Sequence, residues 1–271
     1  MILKVILPFL ICISIVTASC PEEGPWTESI IVAIRESKLT AESPLISGEN
    51  AKYLDEECLG HDGSMTPIML AAKVGSKPSV IKALISAGAD ISHKHRSGTT
   101  AIMFAAREGE REALKALLEH AQKLGTVDSE LTSVDEHGNT PLHLSALQSS
   151  CPSCASIMFL STPSRSFSVL PNANGNTPLQ IASFYAVSSH FVDLLLSEKT
   201  VKDAIDQPAS NNGRTALMLA VSANADHNVI SLIKNGADPN FSSGGVTAIE
   251  LAKEKGMDHL IPLMSTSVSE L

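Results

Sequence analysis

Cys151-Pro-Ser-Cys154 is the short motif whose residue types and spacing best suit covalent chemistry. Two thiols separated by two residues suit thiol–disulfide exchange, and Pro152 fits the first position of a helix. At a helix start the macrodipole favours the thiolate, the nucleophile of that exchange. In an oxidising compartment the same pair forms an inert local disulfide, and two buried free thiols are a third state. His143 is a conceivable zinc partner for the two cysteines. His93 and His95 alternate along an extended segment and so face one side, but two histidines lack the further ligands zinc requires. The chain carries no nucleotide-binding glycine loop, zinc-protease motif or nucleophile elbow. No cofactor and no metal are expected.

The bulk composition narrows the setting. The chain has 271 residues, 44% of them hydrophobic and only 4% aromatic, and a formal charge of −9. The apolar fraction is ample for a buried core. The scarcity of aromatics speaks against sandwiches and barrels, whose strands favour them. An acidic chain repels phosphate, and its lysines and arginines are scattered, so nucleic acid is not an expected partner.

The N-terminus reads as an address. Lys4 is followed by an apolar run from Val5 to Val16 and then by Thr17, Ala18 and Ser19. That order is that of a secretory signal peptide over residues 1–19, with a secreted or lumenal destination. The run is short for a membrane span. Membrane attachment is expected only if this segment is retained, which would make the protein a membrane-anchored cytosolic scaffold. Residues 20–60 read as a linker followed by an N-terminal capping helix, in which Ile30, Ile31, Ala33 and Ile34 share one face.

The elements that must position any site are repeats. A phrase beginning at Thr66 recurs at Thr100, Thr140, Thr177, Thr215 and Thr247, at intervals of 34, 40, 37, 38 and 32 residues. Each Thr is placed to cap a short helix, with Pro at the first helical position in three of the units. Gly75, Gly109 and Gly256, nine residues after their threonines, suit left-handed helix ends, and Asn224 tolerates the same region. A second apolar-striped helix follows, as at Val80, Ile81, Leu84 and Ile85. Gly98, Gly138, Gly175, Gly213 and Gly245, two residues before each next Thr, turn an extended finger back.

These units resemble ankyrin repeats, whose Thr-Pro-Leu-His-x-Ala phrase stands almost whole at Thr140–Ala146. The resemblance covers residues 61–256 and leaves 257–271 as a C-terminal tail. It implies an all-α solenoid of about five to six helix–turn–helix units with β-hairpin fingers. It also implies protein binding on a concave face of finger tips and first helices. Carried over position by position, that face takes Arg96, Thr99, Arg107 and Glu108 from the second unit. The third unit supplies Glu136, His137, Leu147 and Gln148, the fourth Phe184 and Tyr185, and the fifth Asn211, Asn212 and Arg214. A patch centred on Phe184 and Tyr185, flanked by Arg107 and His137, is expected because aromatics and arginine anchor interfaces. The chain departs from the pattern at Ala121–Thr132 and Ser161–Val169, where insertions interrupt it.

The expectation is therefore a monomeric, non-enzymatic module that binds another protein as adaptor, scaffold, inhibitor or secreted effector. A thiol–disulfide oxidoreductase using Cys151 and Cys154 is the alternative of a different class. Asn240-Phe-Ser242 is a glycosylation sequon on an expected finger, usable in a eukaryotic secretory lumen.

Overall fold

A computed structural model describes residues 25–56, 65–148, 151–185, 189–242 and 244–265. The expected signal segment, Cys20 and Cys58 lie outside the described residues.

Helix α1 (Pro25–Arg35) buries Ile30 and Ile34 and packs on the first repeat helix. A loop with one 3-10 turn (Gly48–Tyr53) follows. The units are α2 (Pro67–Lys73) with α3 (Pro78–Ser86), and α4 (Ala101–Glu108) with α5 (Arg111–Leu124) and an extra α6 (Val127–Thr132). The third and fourth units are α7 (Pro141–Gln148) with α8 (Pro152–Ser161), and α9 (Pro178–Tyr185) with α10 (Ser189–Ser197) and an extra α11 (Lys199–Asp203). The last two are α12 (Ala216–Ser222) with α13 (Asp226–Lys234), and α14 (Ala248–Glu254) with α15 (Ile261–Ser265). First helices pack in one row, α2, α4, α7, α9, α12 and α14, and second helices in another, α3, α5, α8, α10, α13 and α15. The apolar core runs unbroken between the two rows.

The repeated threonines do what their spacing predicts. Each accepts, at Oγ1, the backbone N–H three residues on: Met69, Met103, His143, Gln180, Met218 and Glu250, at 3.2–3.5 Å. Each cap is worth about 1 kcal/mol over Ala. In the last unit Glu250 also accepts from the Thr247 N–H at 2.8 Å, closing a capping box. Gly75, Gly109, Gly256 and Asn224 all hold positive φ at their helix ends.

The fingers are tighter than extended hairpins. Two backbone bonds close each: His95 N to Thr99 O (3.0 Å), Asp135 N to Asn139 O (3.1 Å) and Asn172 N to Asn176 O (2.9 Å), with Gly98 N, Gly138 N and Gly175 N donating back to His95 O, Asp135 O and Asn172 O at 2.7, 2.9 and 2.8 Å. A turn this short leaves no room for a ladder, and the described residues contain no β-strand. Neighbouring fingers are joined backbone to backbone instead: Glu136 N donates to Ser97 O and Ala173 N to His137 O, each at 2.9 Å.

The two insertions are ordered and touch each other. The first lengthens α5 and adds α6, which buries Val127 and Leu131. The second forms a 3-10 turn (Ser166–Ser168) that buries Phe167 against Phe159. Thr162 Oγ1 donates to Asp128 Oδ1 at 2.6 Å across the two insertions, and Gln122 Nε2 donates to Ser161 O at 2.9 Å. Arg165 pairs with Glu198 at 2.8 Å and lies 5.5 Å over the Phe159 ring.

The residues expected as a C-terminal tail do not all trail away. Residues 258–265 form a 3-10 turn (Asp258–Leu260) running into α15, which supplies the sixth unit's second helix. Leu260 and Met264 are buried there, an apolar spacing of four that matches a helix face.

Candidate functional site

The phrase position seven residues after each capping Thr marks the end of the first helix, on its finger-facing side. It is Lys73, Arg107, Leu147, Phe184, Ser222 and Glu254 along the chain. Only the third and fourth units place large apolar residues there. Leu147 is 36% exposed and Phe184 41%, and the following Tyr185 is 52% exposed. The Phe184 and Tyr185 rings meet edge to face with centroids 4.9 Å apart, a geometry that aromatic pairs favour.

This pair forms a ridge between two hollows. One, of about 470 Å³, is lined by His137, Asn139, Leu147, Asn172, Asn174, Asn176, Gln180, Ile181, Phe184, Tyr185, Asn212 and Leu219. The other, of about 480 Å³, is lined by the same two aromatics and by residues 223–228. The first hollow draws on three consecutive units. Its lining holds no carboxylate, Lys or Arg, although the chain as a whole is strongly acidic. The floor is a set of amides already committed to shaping the fingers. Asn172 donates to Asn139 Oδ1 at 2.9 Å and accepts the N–H groups of Asn174 and Asn176 at 3.0 and 3.1 Å. Gln180 accepts from the Thr177 N–H at 2.7 Å and donates to Gln207 O at 2.8 Å. Asn176 Oδ1 is shielded from solvent with no hydrogen-bond partner among the described residues.

A concave hollow of amides beside an exposed aromatic ridge suits the binding of a partner. Its repeated helix pairs can be compared with known proteins. The model for ankyrin repeats (3 copies) matches residues 31–128, 68–163 and 158–243.

The chain belongs to the ankyrin repeat family.

Among curated proteins, it is 29% identical over 234 residues to the human neurogenic locus notch homolog protein 1, covering 80% of this chain and 8% of that protein. It is 29% identical over 179 residues to the human SH3 and multiple ankyrin repeat domains protein 2, covering 66% of this chain and 9% of that one. A third relative, from Danio rerio, is named as a palmitoyltransferase and is 25% identical over 201 residues, 73% of this chain and 29% of that protein. The chain thus spans less than a tenth of the first relatives it matches. Ankyrin repeats are in general protein–protein interaction modules.

Against the ankyrin pattern, the expected partner-binding residues divide. His137, Leu147, Phe184, Tyr185 and Asn212 come together around the first hollow. Arg96, Glu136, Asn211 and Arg214 are exposed on fingers but do not line it. Gln148 ends α7, and its side chain lies outside the described residues. Thr99 is a correction: it is only 4% exposed, and its Oγ1 bonds Ser97 Oγ at 2.8 Å inside the finger. Arg107, expected to flank the aromatic pair, lines neither hollow. Its guanidinium lies 5.0 Å over the Phe104 ring and pairs with Glu108 at 3.1 Å. Asn172 and Gln180 escaped the sequence reading, although the Asn-x-Asn-x-Asn run at 172–176 was a visible signal.

Cys151 and Cys154 lie away from the groove, at the start of α8, with their sulfurs joined in a disulfide and Cα atoms 5.2 Å apart. Cys151 Sγ also accepts the Cys154 N–H at 3.1 Å, doing at this helix what Thr does at the first helices. Both are buried. His143 is no zinc partner for them: its Nδ1 accepts the Thr140 N–H at 3.2 Å and its Nε2 donates to Asn176 O at 2.9 Å, so both ring nitrogens are used.

Proposed function

We propose that this ankyrin repeat chain acts, as a monomer, by binding another protein on the concave face around Phe184 and Tyr185, without catalysing a reaction. The supporting observation is the aromatic ridge: two large rings left in solvent where most other units carry charged or small residues. A cluster of exposed apolar rings is stabilised when a partner covers it, by about 25 cal/mol per Å² of apolar surface removed from water. The lack of any carboxylate, Lys or Arg in the lining of the hollow favours a partner segment that brings no ionic group. The role is that of an adaptor, scaffold, inhibitor or secreted effector, and the site of action is the secretory lumen or the exterior, on the strength of the apolar N-terminal segment.

The test is a purified complex. The tagged chain is recovered from its native cells, its mature mass and cell fraction are read, and the stoichiometric partner is identified and re-bound in vitro. The double variant Phe184→Ala, Tyr185→Ala should weaken binding at least tenfold with an unchanged melting temperature. Unchanged affinity removes this patch from the interface.

A further inference from the structure

Asn240-Phe241-Ser242 is the one place in the chain where an Asn is followed by a residue other than Pro and then by Ser or Thr. That is the acceptor pattern for an N-linked oligosaccharide. Its place in the fold can be compared with an inner unit, because Gly236-Ala-Asp238-Pro-Asn240 repeats Gly88-Ala-Asp90-Ile-Ser92. In both, the Asp N–H donates to an Asp of the preceding unit, Asp55 at 2.8 Å and Asp206 at 2.9 Å. In both, the Asp Oδ1 accepts the N–H two residues on, from Ser92 at 2.8 Å and from Asn240 at 2.9 Å. Ser92 and Asn240 are thus equivalent positions in two fingers.

Their surroundings differ. Ser92 Oγ donates to Glu130 on α6 at 2.5 Å, so the following element occupies that position. Asn240 is exposed, and its side chain makes no hydrogen bond among the described residues. The finger tips show the same contrast. A Cβ added to Gly138 would stand 2.5 Å from Ala173 N, and one on Gly175 2.0 Å from Ser210 Oγ, because the next finger roofs each tip. A Cβ on Gly244 or Gly245 would meet nothing within 4 Å among the described residues. Among the described residues, this finger is therefore open. Phe241 packs half-buried against the core and pins the backbone, while Asn240 and Ser242 on either side face solvent.

We propose that Asn240 carries an N-linked oligosaccharide, placed on a finger with room for it. In the transfer, Asn240 Nδ2 bonds to the anomeric carbon of an oligosaccharide carried on a lipid pyrophosphate. The sugar–phosphate C–O bond breaks, the lipid pyrophosphate leaves with the electron pair, and one amide proton is lost to a base of the transferase. The proposal rests on the secretory reading of the N-terminal segment.

The full chain is translated with endoplasmic-reticulum microsomes and challenged with external protease, then treated with a peptide N-glycosidase. A protease-protected chain that runs larger by one glycan, and loses the increment with the glycosidase, with Asn240→Gln and with Ser242→Ala, supports the site. A protected chain of unmodified size overturns the site and leaves the secretory reading standing. A chain that the protease digests overturns both. Asn240→Gln should leave the melting temperature of the unglycosylated chain unchanged, so a missing increment in that variant reports the acceptor and not misfolding.

Discussion

His143 Nε2 donates to the backbone carbonyl of Asn176, 2.9 Å away in the next finger, while its Nδ1 accepts the N–H of its own capping Thr140. Gln180 repeats the arrangement one unit on, accepting from the Thr177 N–H and donating to Arg214 O at 3.2 Å. Asn176 and Arg214 stand in the same place, just before the capping Thr of the following unit. The third residue after Thr therefore joins neighbouring units wherever it has both an acceptor and a donor. Met69, Met103 and Met218 fill the same place without either. Burial, partly offset by the bond to Asn176, lowers the His143 pKa from 6.5 to about 4.

Acid should consequently weaken the fold in a defined window. Unfolded, His143 takes up a proton below 6.5; folded, it resists until about 4. The unfolded chain binds the extra proton between those values, so stability falls as pH drops from 6.5 to 4, by roughly 3 kcal/mol in all. His143→Gln should keep both hydrogen bonds, as Gln180 does, and remove this acid limb. His143→Leu should remove it too, but at a cost of about 1–3 kcal/mol at neutral pH, because the Thr140 N–H and Asn176 O lose their partner. Urea denaturation at pH 7 and pH 5 checks all three. Parallel pH dependence in the wild type and the Gln variant would show that another group sets the acid limb.

Gly138→Ala should be far worse than Gly244→Ala. Both glycines hold positive φ, 72° and 61°, so both substitutions carry backbone strain of about 1–2 kcal/mol. At Gly138 the new methyl also stands 2.5 Å from Ala173 N and breaks the finger-to-finger bond from that N–H to His137 O. A total loss of about 3 kcal/mol or more is expected at Gly138, and only the strain at Gly244. Thermal melts of the two variants check the difference; equal losses would mean that finger stacking adds nothing.

The backbone of this fold was legible because each repeat writes its own punctuation. A Thr cap and a Gly forced to positive φ are local signals, and they placed the helices without tertiary knowledge. Phe184 and Tyr185 were legible for a related reason: they break a pattern that most other units keep. Thr99 was misread because finger residues alternate between solvent and the next finger, and the short turn shifts which ones face out. The contact of Thr162 with Asp128 was invisible, since it joins two insertions that no repeat pattern aligns. The commitment of Asn172 to its own finger was hidden because Asp135 performs that turn role in the preceding unit with a different side chain.

That insertion contact should be measurable as coupling. Thr162 donates to Asp128 at 2.6 Å, with the Thr162 side chain largely buried. Single substitutions Asp128→Ala and Thr162→Val should each destabilise by about 1–2 kcal/mol, and the double variant by less than their sum. An interaction energy of about 0.5–1.5 kcal/mol from a double-mutant cycle is expected. Strict additivity would mean that the insertions fold independently of each other.

The disulfide should matter little to stability and show slow chemistry. Cys151 and Cys154 close a loop three residues apart in sequence, so the bond restricts the unfolded chain only slightly, worth about 2 kcal/mol at most. Cys151→Ser with Cys154→Ala keeps an oxygen to accept the first-turn N–H that Cys151 Sγ now receives, which should hold the loss below that figure. Both sulfurs are buried, so reductant and thiol reagents must wait for local opening of α8. Under native conditions, reduction and alkylation should therefore be slow and should accelerate with added urea. Fast alkylation of the reduced protein below neutral pH, without denaturant, would instead mark an accessible, activated thiol and bring the oxidoreductase alternative forward.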